Sequence, residues 1–120
     1  MLAADGSAVD TAIACAATLK IVAPVSNGLG SDCFAIAWDE STLHSLNASG
    51  PAPVAWNFVY FRRRHGGKIT QRGWDSVTVP GCVAGWVALH ERFGRLPFET
   101  VLAPTIDYAQ RGYAASPIVA

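Results

Sequence analysis

The sequence is poor in charged residues and has no net charge. Only 15% of its 120 residues are Asp, Glu, Lys or Arg, and nine basic residues balance nine acidic ones. The overall balance therefore gives no reason to expect nucleic acid or an anionic membrane as a partner. Apolar residues make up 51% of the chain, which excludes a disordered protein. The length fits one modest domain with one core.

Long apolar runs and paired cysteines are also missing. No run approaches the ~18 residues of a membrane span, and the first residues, MLAADG, lack the basic start of a signal peptide. The three cysteines, Cys15, Cys33 and Cys82, lie far apart among apolar neighbours. This spacing does not match the close pairs of a zinc site, so we expect buried free thiols and no metal. Free thiols suit a reducing compartment, and the localisation stays open between cytoplasm and periplasm.

The short catalytic motifs that a single sequence can reveal are absent. Residues 27–30 (NGLG) lack the GK[ST] ending of a phosphate loop and precede a strand rather than a helix. The chain has no G-x-S-x-G elbow and no H-E-x-x-H zinc motif. Local chemistry alone indicates only an α/β domain.

The remaining pattern is organised around residues 24–53. Asn and Gly at positions 27, 28 and 30, followed by Ser31, predict a sharp loop, because these residues reach positive φ at low cost. The apolar run at 33–38 predicts a strand covered on both faces, and residues 39–41 predict a turn. Alternation at 42–46 predicts the returning strand of a β-hairpin.

Helical spacing flanks this hairpin on both sides. Residues 7–19 predict an alanine-rich helix, and residues 82–93 predict a second one with apolar residues at helical intervals. A third helical region at 98–111 contains Pro104, which we expect to split or kink it. Residues 73–81 predict a short alternating strand. We therefore predict an α/β (α+β) fold whose sheet is covered by helices.

Two segments permit both a functional and a structural interpretation. Residues 56–61 are strongly aromatic and are followed by Arg62, Arg63 and Arg64, a pattern that could bind single-stranded nucleic acid. We favour an amphipathic segment with its aromatic side packed and its arginines in water, because the rest of the chain is not basic. His90 could act as a general base, but no nucleophile lies beside it in sequence. A hydrogen-bonding histidine near a helix end is therefore the favoured interpretation.

Taken in order, five motifs resemble the gamma-glutamyltransferase (gamma-glutamyltranspeptidase) family, and the resemblance covers nearly the whole chain. The motifs are GSAVDTA at 6–12, the small-residue loop and strand start at 24–34, LNASGPAP at 46–53, VTVPG with Ala84 and Gly85 at 77–85, and HERFGRLP with LAP at 90–104. Each motif alone is weak, but their order and spacing match the early part of the family's large subunit.

The resemblance implies an αββα N-terminal-nucleophile (Ntn) hydrolase sandwich, made as one chain that cuts itself into a large and a small subunit. The exposed threonine would attack a γ-glutamyl carbonyl, with its own α-amine as the base. The acyl group would pass to water, an amino acid or a peptide, with glutathione as the usual donor. The implied partners are the remainder of the large subunit, the small subunit with its nucleophile and a small γ-glutamyl substrate, and no cofactor is implied.

Two features depart from the family pattern. The tandem-threonine motif is absent, and the family's first strand and helix are missing before Met1, so we expect a fragment that is inactive by itself. Pro51 stands where the family places an arginine that pairs with the donor's α-carboxylate. Arg62 to Arg64 are the nearest candidates in sequence to replace it. The resemblance leaves Asn47, Ser49 and Gly50 as substrate-binding residues.

These departures keep two alternatives open. Pro51 favours an acylase of the same superfamily that cuts glutaryl or other amides. The missing nucleophile, together with Pro51, favours a non-catalytic remnant that serves as a structural or binding module.

Overall fold

The computed structural model describes residues 1–25 and 27–117. Within these residues the chain forms a two-stranded sheet flanked by helices, in the order α1, β1, β2, α2, α3, α4. The bounds are α1 Ala8–Val22, β1 Cys33–Trp38, β2 Leu43–Ala48, α2 Phe58–His65, α3 Cys82–Phe93 and α4 Phe98–Arg111, with short 3-10 helices at Leu2–Ala4 and Trp74–Ser76. The predicted mixture of helices and hairpin is confirmed.

A reciprocal cap begins α1. The Ser7 hydroxyl accepts a hydrogen bond from the Asp10 amide at 3.0 Å, and the Asp10 carboxylate accepts one from the Ser7 amide at 2.8 Å. Both groups satisfy amides that have no partner inside the helix. The predicted start is confirmed, whereas the helix ends at Val22, three residues later than predicted. Pro24 lies just beyond that end.

The Asp10 carboxylate also joins α1 to the connection between α3 and α4. Its Oδ2 atom accepts hydrogen bonds from the amides of Arg95 at 3.0 Å and Leu96 at 3.2 Å, and the residue is fully buried. Burial acts to raise the pKa of Asp10, but the amide hydrogen bonds from Ser7, Arg95 and Leu96 outweigh it and hold the pKa below its usual value. The His90 Nε2–H group donates a hydrogen bond to this same connection, at the Leu96 carbonyl oxygen 2.7 Å away. The favoured hydrogen-bonding interpretation of His90 is confirmed.

The hairpin pairs β1 and β2 antiparallel, from Cys33 opposite Ala48 to Trp38 opposite Leu43. Alternate residues of β1 face α3 and are half-buried. The other face is open: Phe34, Ile36 and Trp38 are 61%, 75% and 63% exposed. The described residues therefore supply cover to one face of β1 only, and the predicted cover of its second face is not found among them.

The core lies where α1, α3 and α4 meet beneath the hairpin. Val101 of α4 and Ile13 of α1 are fully buried there, together with Trp86 of α3. Gly85 lets α3 approach the sheet, because a Cβ atom at this position would lie 2.9 Å from the Cβ atoms of both Cys33 and Ala48. This close approach fixes the strand ends relative to α3.

Helix α4 runs unbroken through Pro104. The expectation that Pro104 splits it is wrong because the helix is held along α1, where Val101 is buried and the Thr105 hydroxyl lies 3.0 Å from that of Thr18. Pro104 lines one surface groove together with Ala14 and Thr18 of α1. Packing along α1 therefore outweighs the roughly 3 kcal/mol that an internal proline costs a helix.

Three further predictions are corrected. Residues 77–81 are not a strand, because they bond to an irregular loop instead of a neighbouring strand. Gly28 and Gly30 do not adopt positive φ, although residues 28–31 form a turn closed by a hydrogen bond between the Ser31 amide and the Gly28 carbonyl oxygen. The three thiols are free as predicted, but Cys15 is exposed because it lies on the outer side of α1.

Candidate functional site

The predicted substrate-binding residues Asn47, Ser49 and Gly50 lie at the end of the hairpin opposite its turn. Asn47 is the last but one residue of β2 and pairs with Phe34, so it lies on the open face of the sheet. Ser49 and Gly50 follow directly as irregular chain. We call residues 47–51 the NASGP loop, and it leaves the sheet at the edge of the uncovered face.

The NASGP loop is folded upon itself. The Asn47 side-chain oxygen accepts a hydrogen bond from the Ser49 amide at 3.0 Å, which turns the chain directly after the strand. Gly50 follows with φ of 80°, a left-handed conformation that side chains with a Cβ atom rarely adopt. These two features give the loop one defined shape.

A second segment, residues 78–81, holds the loop from outside. The Thr78 hydroxyl donates to the Ser49 carbonyl oxygen at 2.9 Å, and the Val79 amide donates to the Pro51 carbonyl oxygen at 3.0 Å. Between these bonds the Val79 carbonyl oxygen lies against Gly50, only 1.6 Å from where a Cβ atom would stand. We call this arrangement the clasp, and its geometry requires glycine at position 50.

The turn before β1 completes the arrangement. The Ser31 carbonyl oxygen accepts hydrogen bonds from the amides of Gly81 at 3.3 Å and Cys82 at 3.0 Å. A Cβ atom at Gly81 would lie 2.3 Å from the Ala48 carbonyl oxygen, so glycine is required here too. The Lys20 ammonium donates to the Ser31 hydroxyl at 3.2 Å. Ser31 thus supports the segment that holds the NASGP loop, and Lys20 supports Ser31 in turn.

Sequence reasoning missed Lys20 and Thr78 as supporting residues. The only sequence features that point to this contact are Gly50 and Gly81, because two backbone segments can approach this closely only where a residue has no Cβ atom. A single sequence does not show that these two glycines touch each other across 31 positions.

The arginines that were predicted to replace the family's arginine make other contacts. The Arg64 Nε atom lies 3.0 Å from an Asp75 carboxylate oxygen, and the Arg62 guanidinium lies over the Phe58 ring. None of the hydrogen bonds or ion pairs found in residues 1–25 and 27–117 joins Arg62, Arg63 or Arg64 to the NASGP loop. Pro51 itself is exposed and offers its carbonyl oxygen to Val79.

A histidine–carboxylate pair at the hairpin turn does not form a nucleophilic triad. His44 Nε2 lies 2.6 Å from Asp39 Oδ2, and its Nδ1 atom lies 2.9 Å from an Arg92 nitrogen, so both ring nitrogens are engaged. The neighbouring Ser41 hydroxyl donates to Asp39, not to the histidine. The hydrogen bond to His44 is the largest influence that holds the pKa of Asp39 far below its usual value. The turn is therefore a hydrogen-bonded structural element.

Nor does the strand end supply a reactive thiolate. Burial raises the pKa of the Cys33 thiol, and the neighbouring Cys82 acts in the same direction against a smaller opposite effect of Lys20. A thiol with a raised pKa is a poor nucleophile at neutral pH. Threonine hydroxyls also have structural partners here, because Thr11 donates to the Ser7 carbonyl oxygen and Thr78 to that of Ser49.

Comparison with known proteins gives this site a context. The sequence profile named Gamma-glutamyltranspeptidase matches residues 1–120. The glutathione hydrolase-like YwrD proenzyme of Bacillus subtilis is 37% identical over 112 residues, covering 92% of this chain and 21% of that protein.

Two solved structures have the same architecture. Cephalosporin acylase from Bacillus halodurans superposes with a TM-score of 0.87 and 41% identity, covering 98% of this chain and 22% of that one. Gamma-glutamyltranspeptidase from Pseudomonas nitroreducens, complexed with L-DON, superposes with a TM-score of 0.81 and 30% identity, covering 98% and 36%. The chain thus spans about a fifth of the length of the curated relatives it matches, 21% in the B. subtilis case.

Proposed function

Because the chain belongs to the gamma-glutamyltranspeptidase family, we propose that it is the N-terminal part of the large subunit of a self-processing amide hydrolase or acyltransferase. Its fold is the helix-and-sheet arrangement of the family's Ntn-hydrolase structures. The observation that carries the proposal is the clasp, in which residues 78–81 hold the NASGP loop in one shape beside the open sheet face. A preformed loop that presents small polar groups suits the recognition of a small acyl donor.

The reaction follows from the family's chemistry. A threonine at the start of the small subunit, outside this chain, attacks the carbonyl carbon of a γ-glutamyl or related amide, and its α-amine takes the hydroxyl proton. The amine product leaves with that proton, and an acyl ester remains on the threonine. Water or an acceptor amine then breaks the ester and restores the hydroxyl. The NASGP loop takes part by orienting the acyl group through Asn47, Ser49 and the Gly50 backbone.

Two classes of acyl donor are candidates for this reaction. Glutathione-type γ-glutamyl amides are the leading candidates because the profile and the glutathione hydrolase-like relative both belong to this group. Two observations favour a second candidate, an acylase for glutaryl or other amides. The first is Pro51, which has no charge to pair with an α-carboxylate. The second is the 41% identity to a cephalosporin acylase.

Intact mass and N-terminal sequencing of the complete gene product test the proposal first. A self-processing hydrolase gives two fragments, one of which begins with threonine. A single uncut chain that hydrolyses none of these amides would instead establish the non-catalytic remnant.

A direct comparison of γ-glutamyl and glutaryl anilides then separates the two donors, because the glutaryl group keeps the carboxylate and lacks only the α-amine. The variant Pro51→Arg supplies the missing cation. If the loop lies at the acyl site, this variant raises kcat/KM for both of these carboxylate-bearing anilides relative to a butyryl anilide, which has no carboxylate to pair with the arginine. The control Pro53→Arg adds the same charge two residues further on. Equal effects of the two variants would refute the role of the NASGP loop while leaving the self-processing reaction intact.

A further inference from the structure

The zero net charge of the chain conceals a strong separation of charge. Residues 54–75 contain five of the nine Lys and Arg residues and only one of the nine Asp and Glu residues. This segment, which we call the basic lobe, therefore carries a formal charge of +4, and the rest of the chain carries −4. The expectation of no anionic partner rested on the overall balance, which does not describe this surface.

The basic lobe is a built unit with its own small core. Phe61 of α2 is buried against the rings of Trp56 and Tyr60, with centroid distances of 5.5 and 5.2 Å. Asp75 fastens α2 to the 3-10 helix Trp74–Ser76, because its carboxylate accepts a hydrogen bond from the Tyr60 hydroxyl at 2.7 Å and lies 2.6 Å from His65 Nε2. Asp75, the one acidic residue of the lobe, therefore makes its contacts with other residues of the lobe.

The outer face of α2 combines apolar and cationic side chains. Phe58 and Val59 are exposed, and Arg62 and Arg63 follow four residues later on the same face. The Arg62 guanidinium lies 5.9 Å from the centroid of the Phe58 ring. Neither Arg62 nor Arg63 has an ion-pair partner among the residues that the structure describes.

Further apolar side chains of the lobe are fully open to solvent. Trp74 is 91% exposed, and Val54 and Ile69 are exposed as well. Large exposed apolar groups beside uncompensated arginines are unfavourable in water and mark an interaction surface. Covering them with ordinary protein surface would strip water from several cations without pairing them, which costs free energy.

From these observations we infer that the basic lobe is a peripheral binding site for an anionic phospholipid surface. Arginines meet the headgroup phosphates, while Phe58, Val59 and Trp74 enter the boundary between headgroups and acyl chains. The aliphatic members favour lipid over single-stranded nucleic acid, because bases stack on aromatic rings and gain little from Val54, Val59 or Ile69. Within residues 1–25 and 27–117, no helix is long and apolar enough to span a bilayer.

Co-sedimentation of the complete protein with vesicles tests this inference. We expect binding to phosphatidylcholine vesicles containing about 30% phosphatidylserine, weak binding to pure phosphatidylcholine, and loss of binding at high ionic strength. The variant Arg62→Gln/Arg63→Gln should weaken binding by about 30-fold, since each cation near such a surface contributes about a fivefold gain. The variant Arg62→Lys/Arg63→Lys should keep most of it.

A matched control removes two charges elsewhere. Arg95→Gln/Arg111→Gln should leave vesicle binding unchanged, because both side chains lie outside the lobe. The inference is overturned if this control weakens binding as much as the lobe variant does, or if neutral and anionic vesicles bind equally. It is also overturned if the protein ignores vesicles but binds a single-stranded oligonucleotide in a salt-dependent way. Neither result bears on the proposed amide chemistry.

Discussion

The clasp makes a sharp prediction at Gly50. Replacing Gly50 by alanine forces a side chain into a backbone that has φ of 80° and places its Cβ atom 1.6 Å from the Val79 carbonyl oxygen. No side-chain rotation relieves this overlap, because both groups belong to or adjoin the backbone. The NASGP loop and residues 78–81 must therefore separate.

The size of the effect follows from two contributions. The left-handed conformation costs a residue with a Cβ atom about 1–2 kcal/mol. Separation also breaks the hydrogen bonds from Thr78 to Ser49 and from Val79 to Pro51, each with a net value of about 0.5–1.5 kcal/mol. The clasp should therefore lose about 2–5 kcal/mol, which corresponds to a roughly 30- to 5000-fold rise in its open population.

Amide hydrogen exchange in the complete protein measures this population at the Val79 amide. In the parent protein this amide is hydrogen-bonded to Pro51, and in Gly50→Ala its protection should fall by about 30- to 5000-fold. Gly66→Ala is the matched control, since Gly66 has φ of 65° but nothing within 4 Å of a Cβ atom. Gly66→Ala carries the free-energy cost of a left-handed backbone conformation, but its Cβ atom overlaps with no other group. Hydrogen exchange at the Val79 amide should therefore not change.

Two results would refute this reasoning. If Gly50→Ala and Gly66→Ala exchange equally at Val79, the close approach of the two segments does not exist. If exchange at Val79 rises but hydrolysis by the complete protein is unaffected at every donor concentration, the clasp is real and the NASGP loop does not shape the acyl site.

Three further predictions concern the remainder of the fold. Asp10→Asn should destabilise the protein by about 1–3 kcal/mol, because a neutral amide oxygen accepts the three backbone hydrogen bonds at Oδ2 less strongly than a carboxylate does. Since the pKa of Asp10 is lowered in the fold, its contribution is present above the unfolded pKa of about 4 and is lost as pH falls through the folded pKa. Urea unfolding should therefore show less acid sensitivity in Asp10→Asn than in the exposed control Asp5→Asn. Val101→Ala should cost about 2 kcal/mol in the same assay, because the side chain is fully buried, and an unchanged midpoint would contradict its place in the core. A maleimide should label exposed Cys15 in the native protein and buried Cys82 only on unfolding, as mass spectrometry of the peptides would show.

The elements that could be predicted are those whose local signal and tertiary surroundings agree. Helix α3 occupies the predicted residues because its apolar spacing matches the face that meets the sheet, with Cys82 and Trp86 buried. The start of α1 was predictable for a local reason, namely that Ser7 and Asp10 are placed to cap each other. Such signals depend on residues only three or four positions apart.

Errors arose where distant residues decide the structure. The alternation at 76–79 is typical of a strand. These residues instead contact the NASGP loop, which is irregular and does not present a regular row of backbone hydrogen-bonding groups. Pro104 is a helix breaker by local rules, and only its position along α1 shows why α4 continues through it. Cys15 is exposed because it lies on the side of α1 that does not pack against the other helices. The alanine-rich sequence of α1 does not indicate which side that is.

The open sheet face links the fold to the proposed chemistry. Phe34, exposed on that face, is the cross-strand partner of Asn47, the first residue of the NASGP loop. Whatever segment covers Phe34, Ile36 and Trp38 therefore also reaches the edge of the loop. Burial of these three side chains would contribute several kcal/mol by the usual ~1.5–3 kcal/mol for each large apolar group. The covering segment and the candidate site should accordingly assemble together, so that a variant which weakens the covering of Ile36 also lowers the proposed amide hydrolysis by the complete protein.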